Sequence, residues 1–131
     1  MGRLAGIKSE LEEKVKKGVK AQVGAEEHTP PVLSAERAAG VRALKPFLRA
    51  VEDVNRLAIL QELGHEGDLG LSVLDLSDRL MLSQPLTSWH LHILKRARLV
   101  APTHVGRQRI YRLDRARLAE YKELFGWVTD V

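Results

Sequence analysis

The sequence predicts a mainly α-helical fold with a small β-hairpin near its C-terminal end. Three observations lead to this prediction. Apolar residues recur at helical spacing over most of the chain, serine and aspartate stand where they can cap helices, and the spacing changes to alternation around one glycine. The 131 residues suit one compact domain with an extension. Hydrophobic residues make up 44% and charged residues 29% of the chain, which is typical of a globular protein.

An extra amphipathic helix is predicted ahead of the main domain. Its apolar residues recur every four positions from Ile7 to Val23, and each glutamate in it precedes a lysine by one turn. Because this apolar stripe is too narrow to form its own core, we expect it to pack on another surface, either the rest of the chain or a second subunit, where it would extend a dimer interface. Residues 24–33 belong to a linker. We therefore divide the chain into an N-terminal helix and linker, residues 1–33, and a main domain, residues 34–131.

Two helices, one of them interrupted, are predicted at the start of the main domain. Ser34 is a candidate cap for a helix whose apolar residues extend from Val41 to Val51. Pro46 predicts a kink or a restart inside it, because proline lacks the backbone donor and crowds the preceding turn. The next helix begins at about Asp53 and is predicted to stop at Gly64, with a loop from residue 65 to residue 70.

Two shorter helices joined by a tight turn come next. Ser72 and Asp75 form a capping-box pattern at the start of the first. Residues 81–83 are the turn. Ser83 caps the second helix, which has a proline in its first turn, where proline is tolerated, and runs to about Arg98.

After this helix, the spacing of the apolar residues changes from helical to alternating. Residues 99–104 and 108–113 read as two short strands on either side of Val105-Gly106-Arg107, which predicts a β-hairpin. Asp114 then caps a last helix, whose apolar residues extend from Leu118 to Val128.

Positive charge is concentrated in one part of the chain, although the formal net charge is only +4. Neither aspartate nor glutamate occurs from residue 79 to residue 113. A long segment of one sign favours binding to a polyanion, whereas a solvated basic face without a partner is the alternative. The cations of this segment are Arg79, Lys95, Arg96, Arg98, Arg107, Arg109 and Arg112.

Two short helices followed at once by a basic hairpin form a helix-turn-helix with a wing. The second helix can enter the major groove of DNA, which is about 12 Å wide, while the hairpin reaches the neighbouring backbone or minor groove. The 3.6-residue spacing sorts the side chains of that second helix into two faces. Thr87, His90, Leu91 and Leu94 face the core, and Gln84, Ser88, Trp89, His92 and Lys95 face outward.

Several motifs of the main domain match the pattern of a known family. They are Asp53-Val-Asn-Arg56-Leu57-Ala-Ile59-Leu60, Asp75-Leu76-Ser77 with Leu80, Leu82-Ser83-Gln84-Pro85-Leu-Thr-Ser88-Trp-His90-Leu91-His-Ile-Leu94 with Leu99-Val100, Gly106-Arg107 and Tyr111-Arg112-Leu113-Asp114. Through these motifs, residues 43 to 128 resemble the arsenic-repressor (ArsR/SmtB) family of winged helix-turn-helix regulators. The resemblance implies a homodimer held by the helices outside the winged motif, a two-fold symmetric operator overlapping a promoter, and release when an effector binds. Arg98 departs from the family, which usually has a glycine there, so we expect a differently built helix end.

Candidate DNA contacts lie on the second helix and the wing. Gln84 is the best candidate base reader, since its amide can make a bidentate contact to adenine. Ser83, Ser88 and Lys95 are candidates for phosphate contacts, which position a protein without reading sequence. The whole predicted set is Ser83, Gln84, Thr87, Ser88, Trp89, His92, Lys95, Arg96, Arg107, Gln108 and Arg109.

Three side chains of the second helix, counting its cap, have competing interpretations. Ser83 caps its helix, and a DNA contact would come in addition to that role. The outward Trp89 can touch bases or pack on the wing. On the opposite face, His90 is interpreted as a satisfied packing residue and not as a ligand.

No effector site of the family is recognisable. The chain has no cysteine, which excludes disulfides and thiolate metal sites, and Ser72-Val73-Leu74 stands where metal-sensing members have a Cys-x-Cys pair. No histidine follows His104, although the other metal sites of the family need histidines on the last helix. Glu26-Glu27-His28 is interpreted as a solvated loop. We therefore predict no metal and no cofactor, and the effector stays unspecified.

The sequence thus predicts a sequence-specific DNA-binding transcriptional regulator, a homodimeric repressor of a palindromic operator. No catalytic motif occurs, so an enzyme is not expected. The absence of a long apolar run and of a signal peptide predicts a cytoplasmic protein that does not enter membranes. Two alternatives stay open: a winged-helix module that binds protein, and a metal-responsive repressor with a non-standard histidine and carboxylate site.

Overall fold

The computed structural model describes residues 34–130, which fold as predicted into a mainly helical structure with a small antiparallel sheet. The predicted N-terminal helix and linker lie outside these residues, so the boundary at residue 33 stays a prediction. The elements in chain order are α1 (Ala35–Ala43), α2 (Lys45–Val51), α3 (Val54–Glu66), a 3-10 helix (Gly67–Leu69), β1 (Leu71–Ser72), α4 (Val73–Leu80), α5 (Gln84–Arg96), β2 (Val100–Val105), β3 (Gln108–Leu113) and α6 (Arg115–Thr129).

Five of the six α-helices within residues 34–130 begin where the sequence places a capping side chain. Ser34 accepts a hydrogen bond from the Arg37 amide (3.2 Å), and Asp114 accepts one from the Arg117 amide (2.9 Å). The predicted restart near Pro46 is also present, because α1 ends at Ala43 and α2 begins at Lys45. These starts are local features, since each depends on residues no more than one turn apart.

The predicted end of α3 at Gly64 is wrong. The helix continues to Glu66 and ends at Gly67, which has a φ of 62°. Gly64 is tolerated inside the helix, where a side chain would meet Leu113 only at an ordinary contact distance of 3.9 Å.

The described residues form two compact units, one of residues 46–118 and a smaller one of residues 34–45 and 119–130. In the smaller unit, Gly40 of α1 lies against Trp127 of α6. A Cβ atom added at Gly40 would overlap the Trp127 ring, so only glycine permits this close approach.

The sheet of the larger unit has the strand order β1-β3-β2 with antiparallel neighbours. The predicted hairpin is β2 and β3, paired in register from Val100 with Leu113 to Val105 with Gln108. Strand β1 was not predicted, because two residues are too few to show an alternating pattern. It exists through its pairing with β3, where Leu71 lies opposite Tyr111.

A leucine-rich core holds the larger unit together. Helix α5 contacts α3, α4 and β2. Full burial of one such side chain contributes about 1.5–3 kcal/mol to folding. The large apolar side chains of this unit with no exposed surface are Ile59, Leu63, Leu76, Leu91, Leu94 and Leu99.

Candidate nucleic-acid interface

Helices α4 and α5 form the predicted helix-turn-helix. The Ser72 side chain and the Asp75 amide are 3.1 Å apart, and the Asp75 side chain accepts from the Ser72 amide, which completes the predicted capping box. At the other end of α4, Met81 has a left-handed φ of 55°, and the Leu82 amide donates to Ser77 O at 3.0 Å. This turn sets where α5 begins relative to α4.

The two predicted faces of α5 are confirmed. Thr87, His90, Leu91 and Leu94 are buried. Every residue of the opposite face, namely Gln84, Ser88, Trp89, His92 and Lys95, is exposed. The helix therefore presents a continuous strip of polar and aromatic side chains to its surroundings.

Thr87 does not belong in the predicted set of DNA contacts. Its side chain has no exposed surface, and its hydroxyl donates a hydrogen bond to Ser83 O at 2.9 Å. A threonine inside a helix commonly bonds the carbonyl one turn earlier in this way. A DNA contact by Thr87 is therefore wrong for this fold.

Ser83 performs its capping role. Its hydroxyl oxygen accepts a hydrogen bond from the Leu86 amide at 3.2 Å, as an N-cap does. The residue is nevertheless exposed, and its hydroxyl hydrogen remains a donor. An additional contact from Ser83 to DNA stays a prediction.

Trp89 and His92 form an aromatic pair on the exposed face of α5. Their ring centroids are 6.1 Å apart with an interplanar angle of 29°, and Trp89 remains 58% exposed. The ring partner of Trp89 is thus a neighbour on its own helix and not the wing. An indole held in this way offers an apolar surface and one N–H donor to whatever α5 meets.

The end of α5 has the geometry that a glycine would favour, so the expectation of a differently built cap is wrong. Arg98 adopts a left-handed φ of 63°. Its amide donates to Lys95 O at 2.9 Å, and the Leu99 amide donates to Leu94 O at 3.0 Å. Arg98 closes the helix as a glycine would, with the steric strain of a side chain in that conformation.

The wing is a tight hairpin with a basic tip. Gly106 and Arg107 form the two-residue loop between β2 and β3, and Gly106 has the φ of 64° that such a turn demands. Arg107, Gln108 and Arg109 are exposed at the tip, where the sequence placed them.

Five cations of the acid-free segment make no ion pair within residues 34–130. All five are exposed. They lie at the C-terminal end of α5 and on the wing, which makes this part of the larger unit electropositive. The five are Lys95, Arg96, Arg98, Arg107 and Arg109.

The two remaining cations of the segment bind the protein itself. Arg79 pairs with Glu62 (3.3 Å) and Glu66 (2.6 Å), and the hydrogen bond to Glu66 raises the pKa of the guanidinium above its usual value. Arg112 donates to Asp68 O at 2.7 Å and also to the Thr103 hydroxyl. Arg79 belongs to the acid-free segment of the sequence and was therefore assigned to a basic surface. In the fold, Glu62 and Glu66 of α3 neutralise its charge.

Sequence reasoning did not single out Arg56 as a buried, hydrogen-bonded side chain. Arg56 is only 7% exposed. Its Nε donates to Ala50 O (2.8 Å), its Nη2 to Arg49 O (3.0 Å), and its Nη1 lies 3.2 Å from Nδ1 of His90. One signal was available, since position 56 shares the apolar stripe of α3 with Ile59 and Leu63. A charged residue on a buried stripe indicates a specific internal partner.

His90 is buried, as its interpretation as a packing residue requires, but it is only half satisfied. Its Nε2 is buried without a hydrogen-bond partner among the described residues. Near this pair, Asp53 caps α3 and accepts from the Asn55 and Arg56 amides. Desolvation raises the pKa of Asp53, but these hydrogen bonds and the nearby Arg56 charge outweigh it and leave the pKa below its usual value.

Metal-binding groups are not clustered in the part of the chain that the structure describes. No three histidine, aspartate or glutamate side chains of residues 34–130 lie close enough together to hold an ion. Glu26-Glu27-His28 lies outside these residues. No helix within the same range is long and apolar enough to cross a membrane.

Comparison with known proteins relates this interface to transcriptional regulators. A family model described as a helix-turn-helix domain matches residues 52–103. The HTH-type transcriptional regulator Rv2034 of Mycobacterium tuberculosis is 41% identical over 71 residues, which are 54% of this chain and 64% of that protein. The chain thus spans a little under two thirds of that relative.

Two solved structures extend the similarity to the fold. The structure of a possible transcriptional regulator for arsenical resistance is 33% identical, with a TM-score of 0.53 over 61% of this chain and 80% of that chain. HlyU from Vibrio cholerae is 32% identical, with a TM-score of 0.52 over 68% of this chain and 94% of that one.

Proposed function

We propose that this chain is a homodimeric repressor that binds a palindromic operator in duplex DNA, because it belongs to the ArsR/SmtB family of winged helix-turn-helix transcriptional regulators. The chain is a regulator by family and not an enzyme. DNA recognition, dimerisation, repression and a cytoplasmic location are our proposal for this chain.

One observation carries the DNA-binding proposal. The exposed face of α5 and the five cations that make no ion pair within residues 34–130 occur in the same compact unit, on a helix-turn-helix and its wing. Cations without acidic partners are available to phosphates, and their binding releases counterions from the DNA. An exposed helix face of this kind fits the major groove.

Different side chains have different roles in this proposal. Gln84 reads adenine, and the Trp89 and His92 pair contacts base edges next to it. Lys95, Arg96 and the three wing-tip residues bind phosphates and set the register of the protein. With Thr87 removed, the proposed contacts are Ser83, Gln84, Ser88, Trp89, His92, Lys95, Arg96, Arg107, Gln108 and Arg109.

Selection of preferred duplexes from a random-sequence library, followed by gel shift over a range of salt, tests this proposal. R107A is compared with R79A, a matched control that removes the same charge from a residue already paired with glutamates. We expect R107A to lower the slope of log affinity against log salt by about 1.8, which is about 0.9 for each subunit of the dimer, and R79A to leave it unchanged. Q84A should lose about 1–3 kcal/mol of discrimination at one base pair.

Two results would overturn the proposal: the full chain enriching no sequence, or R79A weakening binding as much as R107A. A chain that binds no DNA but binds a protein through the same helix would instead be a protein-interaction module. Dimerisation is checked by sedimentation at micromolar concentration, and by whether selected sites contain two half-sites about 10 base pairs apart. Repression is checked with a reporter carrying the selected site.

A further inference from the structure

We propose that Arg56 is a positioning residue for DNA recognition, which holds α5 in one rotational setting by joining His90 to the end of α2. Arg56 is buried and does not belong to the exposed surface. The inference rests on the proposed function, since it assigns Arg56 to sequence discrimination by α5.

The contacts of Arg56 connect two elements through one rigid group. A guanidinium is planar and carries five N–H donors in a fixed arrangement. Two of its nitrogens bind the carbonyls of Arg49 and Ala50 in the last turn of α2, where carbonyls lack partners within the helix. A third nitrogen faces His90 at 3.2 Å. The end of α2 therefore fixes the guanidinium, and the guanidinium in turn fixes the imidazole.

The same contact determines the tautomer of His90. Because a guanidinium has no acceptor, Nδ1 of His90 must accept from Arg56, and the imidazole hydrogen is on Nε2. That Nε2 is buried without a partner among the described residues. A buried donor without a partner is unfavourable, and an apolar side chain would fill the site without that cost. The pair is therefore poorly explained by stability alone.

The Arg56–His90 pair contributes a contact that depends on the orientation of α5. The apolar contacts of Leu91 and Leu94 bury α5 but do not depend on orientation, whereas a hydrogen bond does. Successive side chains on a helix are about 100° apart, so a small rotation of α5 moves every outward side chain across the groove. Trp89 directly precedes His90 in the chain, which couples the internal contact to the outward face.

If Arg56 has this role, breaking its contact with His90 should lower the sequence specificity of DNA binding and leave the charge-dependent, non-specific binding in place. The five cations at the end of α5 and on the wing do not depend on Arg56 for partners. Loosening the rotation of α5 should weaken binding to a preferred duplex, while binding to unrelated DNA and its salt dependence continue.

The test uses the full chain with two probes, a duplex enriched by the wild type and a scrambled duplex of equal length. We expect R56M and H90L each to lower the ratio of the two affinities by about tenfold, as for the loss of one hydrogen bond to a charged group. H90N should keep the ratio near that of the wild type, because Asn Oδ1 takes the place of Nδ1 as the acceptor. The double variant R56M/H90L should be no worse than either single variant.

Thermal unfolding without DNA accompanies each measurement. If R56M does not fold, H90L and H90N still test the role of Arg56, since both variants leave its contacts with the two carbonyls of α2 intact. A ratio unchanged in H90L, or equally low in H90N, overturns the inference, as does a parallel loss of both affinities with the unfolding temperature. A wild type that prefers no duplex refutes the proposed function itself, whereas a wild-type preference that H90L retains refutes only the role of Arg56.

Discussion

The recognition helix and the wing belong to the same unit but are held in different ways. Helix α5 is held by side chains, with Leu91 and Leu94 fully buried and Thr87 and His90 bonded to groups inside the protein. At the wing tip every residue from 103 to 109 is exposed, and the backbone pairing of β2 with β3 holds the strands together.

This difference fits the different roles in DNA binding that we propose for α5 and the wing. A helix that reads base edges must be held in position before DNA arrives, because small misplacement breaks bidentate contacts. A wing that binds phosphates needs charge more than a fit to particular bases, since the electrostatic attraction of phosphates does not depend on sequence. Elements with few buried contacts also open at lower free-energy cost, so we expect the wing tip to exchange its amide hydrogens before α5 does.

The largest effect expected from this contrast comes from cutting one apolar side chain in each element. Leu91 has no exposed surface, whereas Val105 at the wing is 55% exposed. L91A should lower the free energy of unfolding by about 2–5 kcal/mol. V105A should change it by less than about 0.5 kcal/mol. Urea unfolding of the DNA-free protein measures both, and equal losses would show that the wing is packed as tightly as the helix.

A smaller effect of opposite sign is expected at the junction between α5 and β2. Arg98 holds a left-handed φ of 63° there, which costs a residue with a side chain about 1–2 kcal/mol. Because glycine avoids this strain but loses more backbone entropy on folding, R98G should stabilise the protein by about 0.5–1 kcal/mol.

The control at this junction is R98A, which removes the same charge and keeps the strain. R98A should show no gain in unfolding free energy, while both variants should bind DNA more weakly if Arg98 meets a phosphate. Equal stabilities of R98A and R98G would contradict the strain explanation.

The smallest effect concerns Asp53, which caps the helix that carries Arg56. Its lowered pKa means that the folded state prefers the carboxylate. The resulting stability is present above the unfolded pKa of about 3.9 and is lost as the pH falls through the folded pKa. D53N keeps an acceptor but no charge, so it should be less stable at neutral pH by about 0.3–1 kcal/mol. In acid the two proteins should converge, and a gap that persists below that range would refute the charge explanation.

Residues close in sequence account for most of what could be predicted. The capping side chains, the turn at residues 81–83, the two faces of α5 and the hairpin around Gly106 all depend on neighbours within a few positions. Gly64 shows where such reasoning fails, since a helix passes through a glycine when its surroundings allow it. Arg98 shows the converse, because a side chain occupies a conformation that local preference assigns to glycine.

The sequence by itself determined the helical and hairpin elements, the inward and outward faces of α5 and the basic character of the segment that contains it. Only the tertiary structure decided which cations are available, since Glu62 and Glu66 of α3 neutralise Arg79 across at least thirteen positions of sequence. It likewise decided that two residues after Gly70 form a strand and that Arg56 meets His90, which is 34 positions away. Helical periodicity and caps are local, whereas ion pairs, strand pairing and buried hydrogen bonds exist only once distant segments are brought together.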